Sequence, residues 1–397
     1  MPRVNYSSPK GPAVIVLAAG QGTRMKSSLP KVIHPVMGRP MLAHVLNAAR
    51  YLEPDPLIVV TGHEAESVEA AAAEFAPVFV RQTQRLGTGH AADQAREILA
   101  GHSGRVIIIP GDVPLISPQT LLDFLDAHQA LMADLSVLTV RVEWPGAYGR
   151  IVRDQWGWLE KIVEARDASA AELAIDEINS GIYAADGPKL FEALSSLTPD
   201  NDQKEYYLTD TVAIFRSRGW SAAAVEAPEP LELQGVNDRR ELAQAQAVLR
   251  ERINLSWLLA GVTFNDPCTT HIEASVRLSA DVTLGQGVVL SGSTSVGPGA
   301  VIGSNCCLKN VTVGSGAVLA ANLTISDSVI AEGANLGPPV YPEPSFPAGP
   351  KSARPNQPAA ASKKDENSPQ TTKPSPTAST SHTKPKKGSG KSSGPKK

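Results

Sequence analysis

Residues 14–24 read Val14-Ile15-Val16-Leu17-Ala18-Ala19-Gly20-Gln21-Gly22-Thr23-Arg24. An apolar run rich in β-branched residues passes directly into a loop with two glycines, a pattern that predicts a buried strand ending in a turn. Such a loop lets backbone N–H groups approach phosphate oxygens, and Arg24 and Lys31 would add positive charge there. The spacing matches neither the G-x-G-x-x-G of dinucleotide-binding folds nor the Walker loop, and glycines alone more often mark only a turn. The rest of the chain must decide between a phosphate-binding loop and a plain turn.

The first region of the chain, residues 12–237, alternates short apolar runs with amphipathic stretches. This alternation is typical of β-α-β units, so we predict an α/β fold with a largely parallel sheet. The expected strands lie at 14–17, 57–60 and 106–109, with later ones at 149–153, 159–164 and 178–184 that extend the sheet. The expected helices lie at 41–52, at 63–75 and after Ser117-Pro118. A linking segment follows at 238–261, with one long helix over 238–259.

The second region, residues 262–337, has a repeat of six residues. Its apolar positions are Leu284, Leu290, Val296, Ile302 and Leu308, and after one five-residue step Val313, Leu319 and Ile325. Smaller residues recur four places on, at Val288, Thr294, Ala300, Cys306 and Ala317. This period predicts a short parallel β-helix in which every sixth side chain points into the core. A few turns of such a coil bury little surface, so we expect it to pack against copies of itself.

The third region, residues 338–397, is rich in Pro, Ser, Thr and Lys and is predicted to be a disordered tail. It carries ten lysines and one arginine against three carboxylates, so its charge balance is +8 and that of residues 1–337 is −11. A basic tail could touch an anionic partner such as a lipid surface or nucleic acid. A solvated tail is the simpler interpretation, and no nucleic-acid function is expected of the chain.

Composition also limits the class of protein. The chain has 397 residues, of which 42% are hydrophobic and 19% charged, and no run reaches the ~20 apolar residues of a spanning helix. No membrane insertion is therefore expected. The three cysteines, Cys268, Cys306 and Cys307, form no C-x-x-C pair and are too few for a disulfide scaffold. We expect a globular protein of the cytoplasm.

Ten short motifs follow one another along residues 12–260. In chain order they are Leu-Ala-Ala-Gly-x-Gly-Thr-Arg-Met at 17–25, Leu-Pro-Lys-Val at 29–32, Gln82, Leu-Gly-Thr-Gly-His at 86–90, Gly-Asp-Val-Pro-Leu at 111–115, Tyr-Gly-Arg-Ile at 148–151, Ile-Val-Glu at 162–164, Glu-Ile-Asn-Ser-Gly at 177–181, Glu-Tyr-Tyr-Leu-Thr-Asp at 205–210 and Gly-Val-Asn at 235–237. With them the chain closely resembles the bacterial bifunctional family of N-acetylglucosamine-1-phosphate uridyltransferase and glucosamine-1-phosphate acetyltransferase, the GlmU type.

The resemblance implies a Rossmann-like nucleotidyltransferase domain, joined by a long helix to a left-handed β-helix that forms a homotrimer. It implies Mg²⁺-dependent transfer of UMP from UTP to N-acetylglucosamine 1-phosphate, which gives the UDP-sugar and pyrophosphate for cell-envelope polysaccharides. The nucleotide would lie on Leu17, Ala18, Ala19, Gly20 and Gly22, with uracil at Gln82, Gly87 and Thr88. The charge of the triphosphate would be neutralised by Arg24 and Lys31. The metal ligands would be Asp112, preceded by Gly111 in the substrate site, and Asn237, and the sugar would lie on Gly149, Glu164 and Asn179.

These implied roles agree with elementary chemistry. Asp112 follows the carboxyl end of a predicted buried strand, where open α/β sheets bind ligands, and a few oxygen ligands suit a Mg²⁺ that keeps waters and substrate phosphates. A phosphate monoester is already an anion at neutral pH, so no general base is required. Outside the ordered set of motifs, Asp112 would be as compatible with a turn, Lys31 with a surface charge and Glu164 with a strand edge.

The chain departs from the family pattern in three places. The repeat ends in a proline-rich segment after residue 337, so we expect no acetyltransferase half and no acetyl-CoA site. Pro110 stands where an aromatic residue is common, and Lys204 where glycine is usual. Two alternatives to the uridyltransferase stay open: a UTP-dependent pyrophosphorylase for another sugar 1-phosphate, and a catalytically silent trimeric scaffold or sensor that binds a UDP-sugar.

Overall fold

The structure, a computed structural model, describes residues 11–337, and the predicted tail at 338–397 lies outside the described residues. The strands of the first region are β1 Ala13–Leu17, β2 Pro35–Val36, β3 Arg39–Pro40, β4 Leu57–Thr61, β5 Val78–Arg81, β6 Arg105–Pro110, β7 Leu135–Arg141, β8 Arg150–Arg153, β9 Leu159–Val163, β10 Glu177–Asp186 and β11 Ala222–Glu226. The helices are α1 Met41–Ala49, α2 Ala65–Ala72, α3 Thr88–Asp93, α4 Pro118–Ala130, α5 Ala170–Leu173, α6 Gly187–Leu194, α7 Thr211–Ser217 and α8 Arg239–Leu259. Short 3-10 turns lie at Thr23–Met25, Lys31–Ile33, Arg50–Leu52, Ala73–Phe75, Leu208–Asp210 and Pro230–Leu233.

The main sheet has the order β11-β7-β10-β6-β1-β4-β5, with β8 paired to β10 and β9 paired to β8. Strands β6, β1, β4 and β5 pair in parallel, as the β-α-β pattern predicts. Strand β10, however, is not an extension at the edge, because it lies between β6 and β7 and is antiparallel to both. The apolar pattern shows that a segment is a strand but carries no information on its neighbours, so it could not predict this insertion.

Both faces of the sheet are buried, and side chains of β1 alternate between them. Val14 and Val16 enter the core on one face, together with Ile107 and Ile109, while Ile15 enters the core on the other. Helices cover the two faces, and Ser117 caps α4 as predicted by accepting a hydrogen bond from the backbone N–H of Thr120 at 3.1 Å. This arrangement confirms the Rossmann-like α/β fold.

The second region forms a parallel β-helix, as the repeat predicts. Its strands are β12 Thr263–Phe264, β13 His271–Ile272, β14 Arg277–Leu278, β15 Thr283–Leu284, β16 Val289–Ser291, β17 Ser295–Val296, β18 Val301–Ile302, β19 Cys307–Lys309, β20 Thr312–Val313, β21 Val318–Leu319, β22 Thr324–Ser326, β23 Val329–Ile330 and β24 Asn335–Leu336. Three sheets run along the coil, in the orders β12-β15-β18-β21-β24, β13-β16-β19-β22 and β14-β17-β20-β23.

The repeat begins earlier than the sequence pattern indicated, since Ile272 and Leu278 continue the series of Leu284 backwards and are buried. Cys306 lies at the small inward position and is fully buried, where its Sγ contacts the carbonyl oxygen of Ala320 at 3.1 Å. The cysteine therefore packs the coil.

Helix α8 connects the sheet to the coil. Leu242 and Ala245 near its start pack with Met25, Met37 and other residues beside the glycine loop. Ile253 and Trp257 near its end pack on the core of the coil. Residues 11–337 fall into one compact unit, so the predicted domain boundaries at 237 and 261 stay predictions. No helix among these residues combines the length and apolar character of a membrane span.

The buried hydroxyl of Thr294 supplies a prediction for the coil. It donates to the carbonyl oxygen of Ser291 at 2.7 Å and accepts from the backbone N–H of Val311 at 3.2 Å. We expect Thr294→Val to lower the free energy of unfolding by about 1–3 kcal/mol, because the buried N–H loses its acceptor. Thr294→Ser keeps the hydroxyl and is the matched control. Denaturant unfolding measures both, and equal losses for the two variants would contradict the account.

Candidate active site

A cavity of 420 Å³ opens at the carboxyl end of the parallel strands. It is lined by residues that follow four strands: Leu17 at the end of β1, Gln82 after β5, Asp112 after β6 and Glu164 after β9. Ten of the predicted site residues line it, namely Leu17, Ala19, Gly20, Lys31, Gln82, Gly87, Thr88, Asp112, Glu164 and Asn179. Open α/β sheets bind their ligands at this edge.

The glycine loop is folded around Lys31. Gly22 has a φ of 65°, in the left-handed region, and a Cβ at this position would lie 2.4 Å from the Cβ of Lys31. Only glycine permits this approach at no steric cost. The loop then turns through Thr23–Met25, and a second short turn at Lys31–Ile33 carries the lysine into the cavity. The two glycines therefore belong to a built site and not to a plain turn.

Two cationic and two oxygen-bearing side chains meet at the floor of the cavity. The ammonium of Lys31 contacts Oδ2 of Asp112 and lies 3.1 Å from Oδ1 of Asn237. The guanidinium of Arg24 donates to the same Oδ1 at 3.0 Å. The side chains of Lys31 and Asp112 are only 13% and 19% exposed. Arg24, Lys31, Asp112 and Asn237 are thus brought together from positions more than 200 residues apart in sequence.

The same atoms decide whether a divalent cation fits. Oδ2 of Asp112 and Oδ1 of Asn237 converge on one ammonium, so the two oxygens already share a cation. Within residues 11–337 no cluster of three or more His, Cys, Asp or Glu side chains has metal-binding geometry. A site with two protein oxygens suits Mg²⁺, which keeps waters and takes further oxygens from substrate phosphates. The residues present therefore fit the predicted Mg²⁺.

Asn237 is held in place by its neighbours. Its backbone N–H donates to Oε2 of Glu241 at 2.7 Å, and its Nδ2 lies 3.3 Å from the carbonyl oxygen of Gly235. The hydroxyl of Tyr148 accepts a hydrogen bond from the N–H of Gly235 at 3.0 Å, and the N–H of Val236 donates to the carbonyl of Asp112 at 2.8 Å. Burial, with a smaller contribution from Asp112, raises the pKa of Tyr148 to about 12, so this phenol stays neutral. Sequence reasoning missed Tyr148, although it lies within one of the quoted motifs.

The predicted sugar residues lie close to one another, and two of them, Glu164 and Asn179, line the cavity. The backbone N–H of Asn179 donates to the carbonyl of Gly149 at 2.9 Å, and a Cβ on Gly149 would lie 3.6 Å from Oε1 of Glu164. Burial raises the pKa of the Glu164 carboxyl, which accepts a hydrogen bond from the Thr209 hydroxyl at 3.2 Å. Thr209 was not predicted as a site residue, although it lies within the quoted motif at 205–210, because its contact to Glu164 depends on how the 3-10 turn Leu208–Asp210 packs beside the end of β9.

The remaining predicted residues adjoin the cavity without lining it, and among them Asn237 contacts Lys31 as described above. Ala18 and Gly111 are buried beneath the cavity, and the N–H of Gly111 donates to the carbonyl of Leu17 at 2.9 Å. Gly22 and Arg24 belong to the adjoining loop, and Gly149 contacts the lining residues. Several lining residues were not predicted: Gln21, Val32, Arg85, Ala91, Pro110, Gly181, Tyr183, Glu205, Leu208 and Thr209.

The two departures from the family pattern have structural counterparts. Lys204 has a φ of 55°, so it adopts the left-handed conformation in which glycine carries no steric cost. Pro110 lines the cavity, and its Cγ would lie 2.8 Å from a Cβ at Gly181, whose φ is 82°. With Pro110 and Lys204 in place, the ammonium of Lys31 contacts Oδ2 of Asp112.

The chain is similar to several known proteins. A family model described as the MobA-like NTP transferase domain matches residues 14–209. The bifunctional protein GlmU of Shouchella clausii is 45% identical over 76% of this chain and 65% of its own length. Those of Enterococcus faecalis and Geobacter metallireducens are 42% and 44% identical over 73% and 76% of this chain, each over 63% of its own length. A solved structure of UDP-glucose pyrophosphorylase with UDP-glucose has a TM-score of 0.49 at 19% identity, over 61% of this chain and 99% of that chain.

The fold and the family model place the chain in the class of nucleotidyltransferases. Within this class it is similar to the GlmU-type proteins, with which it shares 42–45% identity over about three quarters of its residues. The chain spans about 65% of the length of the curated relatives that it matches.

The contact of the Lys31 ammonium with Oδ2 of Asp112 and Oδ1 of Asn237 leads to a testable prediction. In Lys31→Met the carboxylate of Asp112 and the amide oxygen of Asn237 lose their internal cation. We therefore expect Mn²⁺ to bind the nucleotide-free variant at least about tenfold more tightly than it binds the wild type, because a unit charge about 4 Å away opposes a second cation by several kcal/mol. Electron paramagnetic resonance titration measures free Mn²⁺ directly. The exposed Lys26 gives the control Lys26→Met, with the same change in net charge; equal affinities for both variants would contradict the assignment.

Proposed function

We propose that the chain is a Mg²⁺-dependent uridyltransferase that transfers UMP from UTP to N-acetylglucosamine 1-phosphate, releasing pyrophosphate and UDP-N-acetylglucosamine. The observation that carries the proposal is that one cavity joins the three groups of predicted residues. Gln82, Gly87 and Thr88 line it together with Lys31, Asp112, Glu164 and Asn179. Similarity to the GlmU-type proteins supports the same reaction.

The chemistry requires little beyond orientation and charge. Lys31 and Arg24 are already fixed beside Asp112 and Asn237, so they are preorganised to bind the triphosphate and the charge that develops on it. The sugar phosphate attacks as an anion, so no side chain has to remove a proton. Residues at the two ends of the cavity would hold the base and the sugar so that the attacking and leaving oxygens lie in line. Asp112 and Asn237 would hold Mg²⁺, which would supply positive charge to neutralise the phosphates.

The choice of sugar is assigned to Gly149, Glu164 and Asn179. Gly149 leaves room beside the Glu164 carboxylate, and Asn179 shares this corner of the cavity. A carboxylate and an amide can together accept from sugar hydroxyls and pair with an acetamido group. Among the possible sugar 1-phosphates, we therefore propose N-acetylglucosamine 1-phosphate.

The first experiment measures pyrophosphate release from UTP and Mg²⁺ by the full chain. N-acetylglucosamine 1-phosphate, glucose 1-phosphate, and glucosamine 1-phosphate with acetyl-CoA are offered in parallel. We expect release with the first substrate only. Preference for glucose 1-phosphate would change the sugar assignment, thiol release from acetyl-CoA would overturn the expectation of a single activity, and silence with all three would favour the scaffold or sensor.

Asp112→Ala tests the floor of the cavity in the same assay. We expect kcat/KM to fall by about 100-fold or more, because the variant loses a charged group at the reacting phosphates. Asp123→Ala, at an exposed position of α4, is the matched control. Circular dichroism establishes that both variants fold. A near-normal rate for Asp112→Ala would remove this residue from the mechanism.

We further propose that the coil mediates a homotrimer. Val301 and Val318 pair in neighbouring rungs and are 37% and 41% exposed on the outer face of one sheet, and Val329 on another sheet is 80% exposed. Leu258 and Leu259 at the end of α8 add further exposed apolar surface. Exposed apolar side chains in this number are typical of an interface. Light scattering should give three times the chain mass for the wild type and a lower mass for a Val301→Glu, Val318→Glu double variant; a monomeric wild type would refute the proposal.

A further inference from the structure

Gln82 is held in one orientation by two hydrogen-bond acceptors. The residue directly follows β5, its side chain is 6% exposed, and it lines the cavity. Its Nε2 lies 3.1 Å from the carbonyl oxygen of Gly87 and 2.9 Å from Nδ1 of His90. A side-chain amide nitrogen has two hydrogens and no lone pair to accept with, so these two contacts use both of its donors.

The amide oxygen of Gln82 is left for a ligand. Among residues 11–337 the buried polar side-chain atoms without a partner belong to His34, Arg150 and Asn254. Oε1 of Gln82 is not one of them, and within the same range no protein donor reaches it, so this oxygen is accessible and available to a ligand. Reversing the amide would place Oε1 against the carbonyl oxygen of Gly87, and two acceptors at 3.1 Å repel each other. The two acceptors around the Gln82 amide therefore fix its orientation.

His90 is the second anchor of this amide. A neutral imidazole has one N–H and one acceptor nitrogen. Nδ1 makes the shorter contact, 2.9 Å to Gln82, whereas Nε2 lies 3.3 Å from the amide nitrogen of Gln94, which also donates to the carbonyl of His90 at 3.0 Å. We therefore assign the acceptor to Nδ1.

The imidazole ring of His90 packs beside Tyr206. Its centroid lies 6.5 Å from that of Tyr206, and the backbone of Tyr206 pairs with both sides of the loop that precedes α3. The N–H of Tyr206 donates to the carbonyl of Leu86 at 2.7 Å, and its own carbonyl accepts from the N–H of Gly89 at 2.8 Å. Gly87 within this loop has a φ of 106°, and a Cβ there would lie 2.6 Å from the same Tyr206 carbonyl. The Gly87 and Tyr206 backbones thus hold both anchors of Gln82.

We propose that His90 is a positioning residue which, with the Gly87 carbonyl, presents the Gln82 oxygen to the cavity and so makes the site select a pyrimidine that carries N–H at ring position 3. Uracil in a nucleotide has a single N–H, at N3, whereas cytosine has a lone pair there. An oxygen aimed at N3 hydrogen-bonds uracil and repels cytosine, and a site built to bond one donor rejects the analogue that lacks it. The inference rests on the proposed UTP-dependent reaction.

The test compares kcat/KM for UTP and CTP in four proteins. In His90→Phe we expect the ratio of UTP to CTP to fall about tenfold, the size that corresponds to one hydrogen bond. His90→Asn returns an acceptor oxygen close to the position of Nδ1 and should restore most of the ratio. Gln94→Leu removes the contact on the other ring nitrogen and should leave the ratio unchanged. 3-Methyluridine triphosphate, which lacks the N3 donor, should be as poor a substrate as CTP for the wild type.

Two results would overturn the inference: an unchanged ratio in His90→Phe, or a ratio lowered equally in Gln94→Leu. A loss of rate with both nucleotides alike would show a structural role only, and would overturn it as well. If the wild type releases no pyrophosphate from UTP, the proposed function fails separately. The affinities of the same proteins for UDP and CDP, measured by calorimetry, then decide whether His90 sets the preference for the base.

Discussion

The pairing of β1 with β6 is the constraint on which the site depends. Leu17 lies opposite Pro110 in this parallel pair, and the N–H of Gly111 continues the ladder to the carbonyl of Leu17. The glycine loop and Asp112 therefore leave neighbouring strands at the same edge. Because side chains alternate along a strand, a slip of one residue in this register would exchange Val14 and Val16 with Ile15 between the two cores. Burial on both faces thus fixes the register, and the register fixes the site.

Asn237, at the end of the first region in sequence, completes the group of polar side chains around Lys31. Asn237 precedes α8, and Val236 packs with Met25, Met37 and Leu242 beside the glycine loop. Asp238 caps the helix by accepting from the N–H of Glu241 at 2.8 Å, and Glu241 in turn accepts from the N–H of Asn237. The helix that leads to the coil therefore begins at one of the residues that contact Lys31. Helix α8 therefore links the candidate site to the coil, and a hydrogen bond from the N–H of Ala274 to the carbonyl of Met37 at 3.0 Å joins the two regions directly.

Much of this fold could be predicted from the sequence, because its determinants are local. The strand and glycine loop at 14–24, the Ser117 cap and the hexapeptide series each follow from a short pattern. The position of β10 between β6 and β7 could not be predicted, since periodicity identifies a strand but not its partners. Likewise the order of motifs indicated Asp112 and Lys31, whereas Tyr148, Thr209 and His90 act through contacts that only the folded chain creates.

The central claim is that one cavity binds the base, the phosphates and the acetamido sugar together. A crystal structure of the protein with UDP-N-acetylglucosamine and Mg²⁺ tests this claim most directly. The account predicts one product molecule across the cavity, with uracil on the oxygen of Gln82, the diphosphate at Lys31 and Arg24, and the sugar against Glu164 and Asn179. A UDP-sugar bound outside this cavity, or with its base at the Glu164 end, would contradict the account.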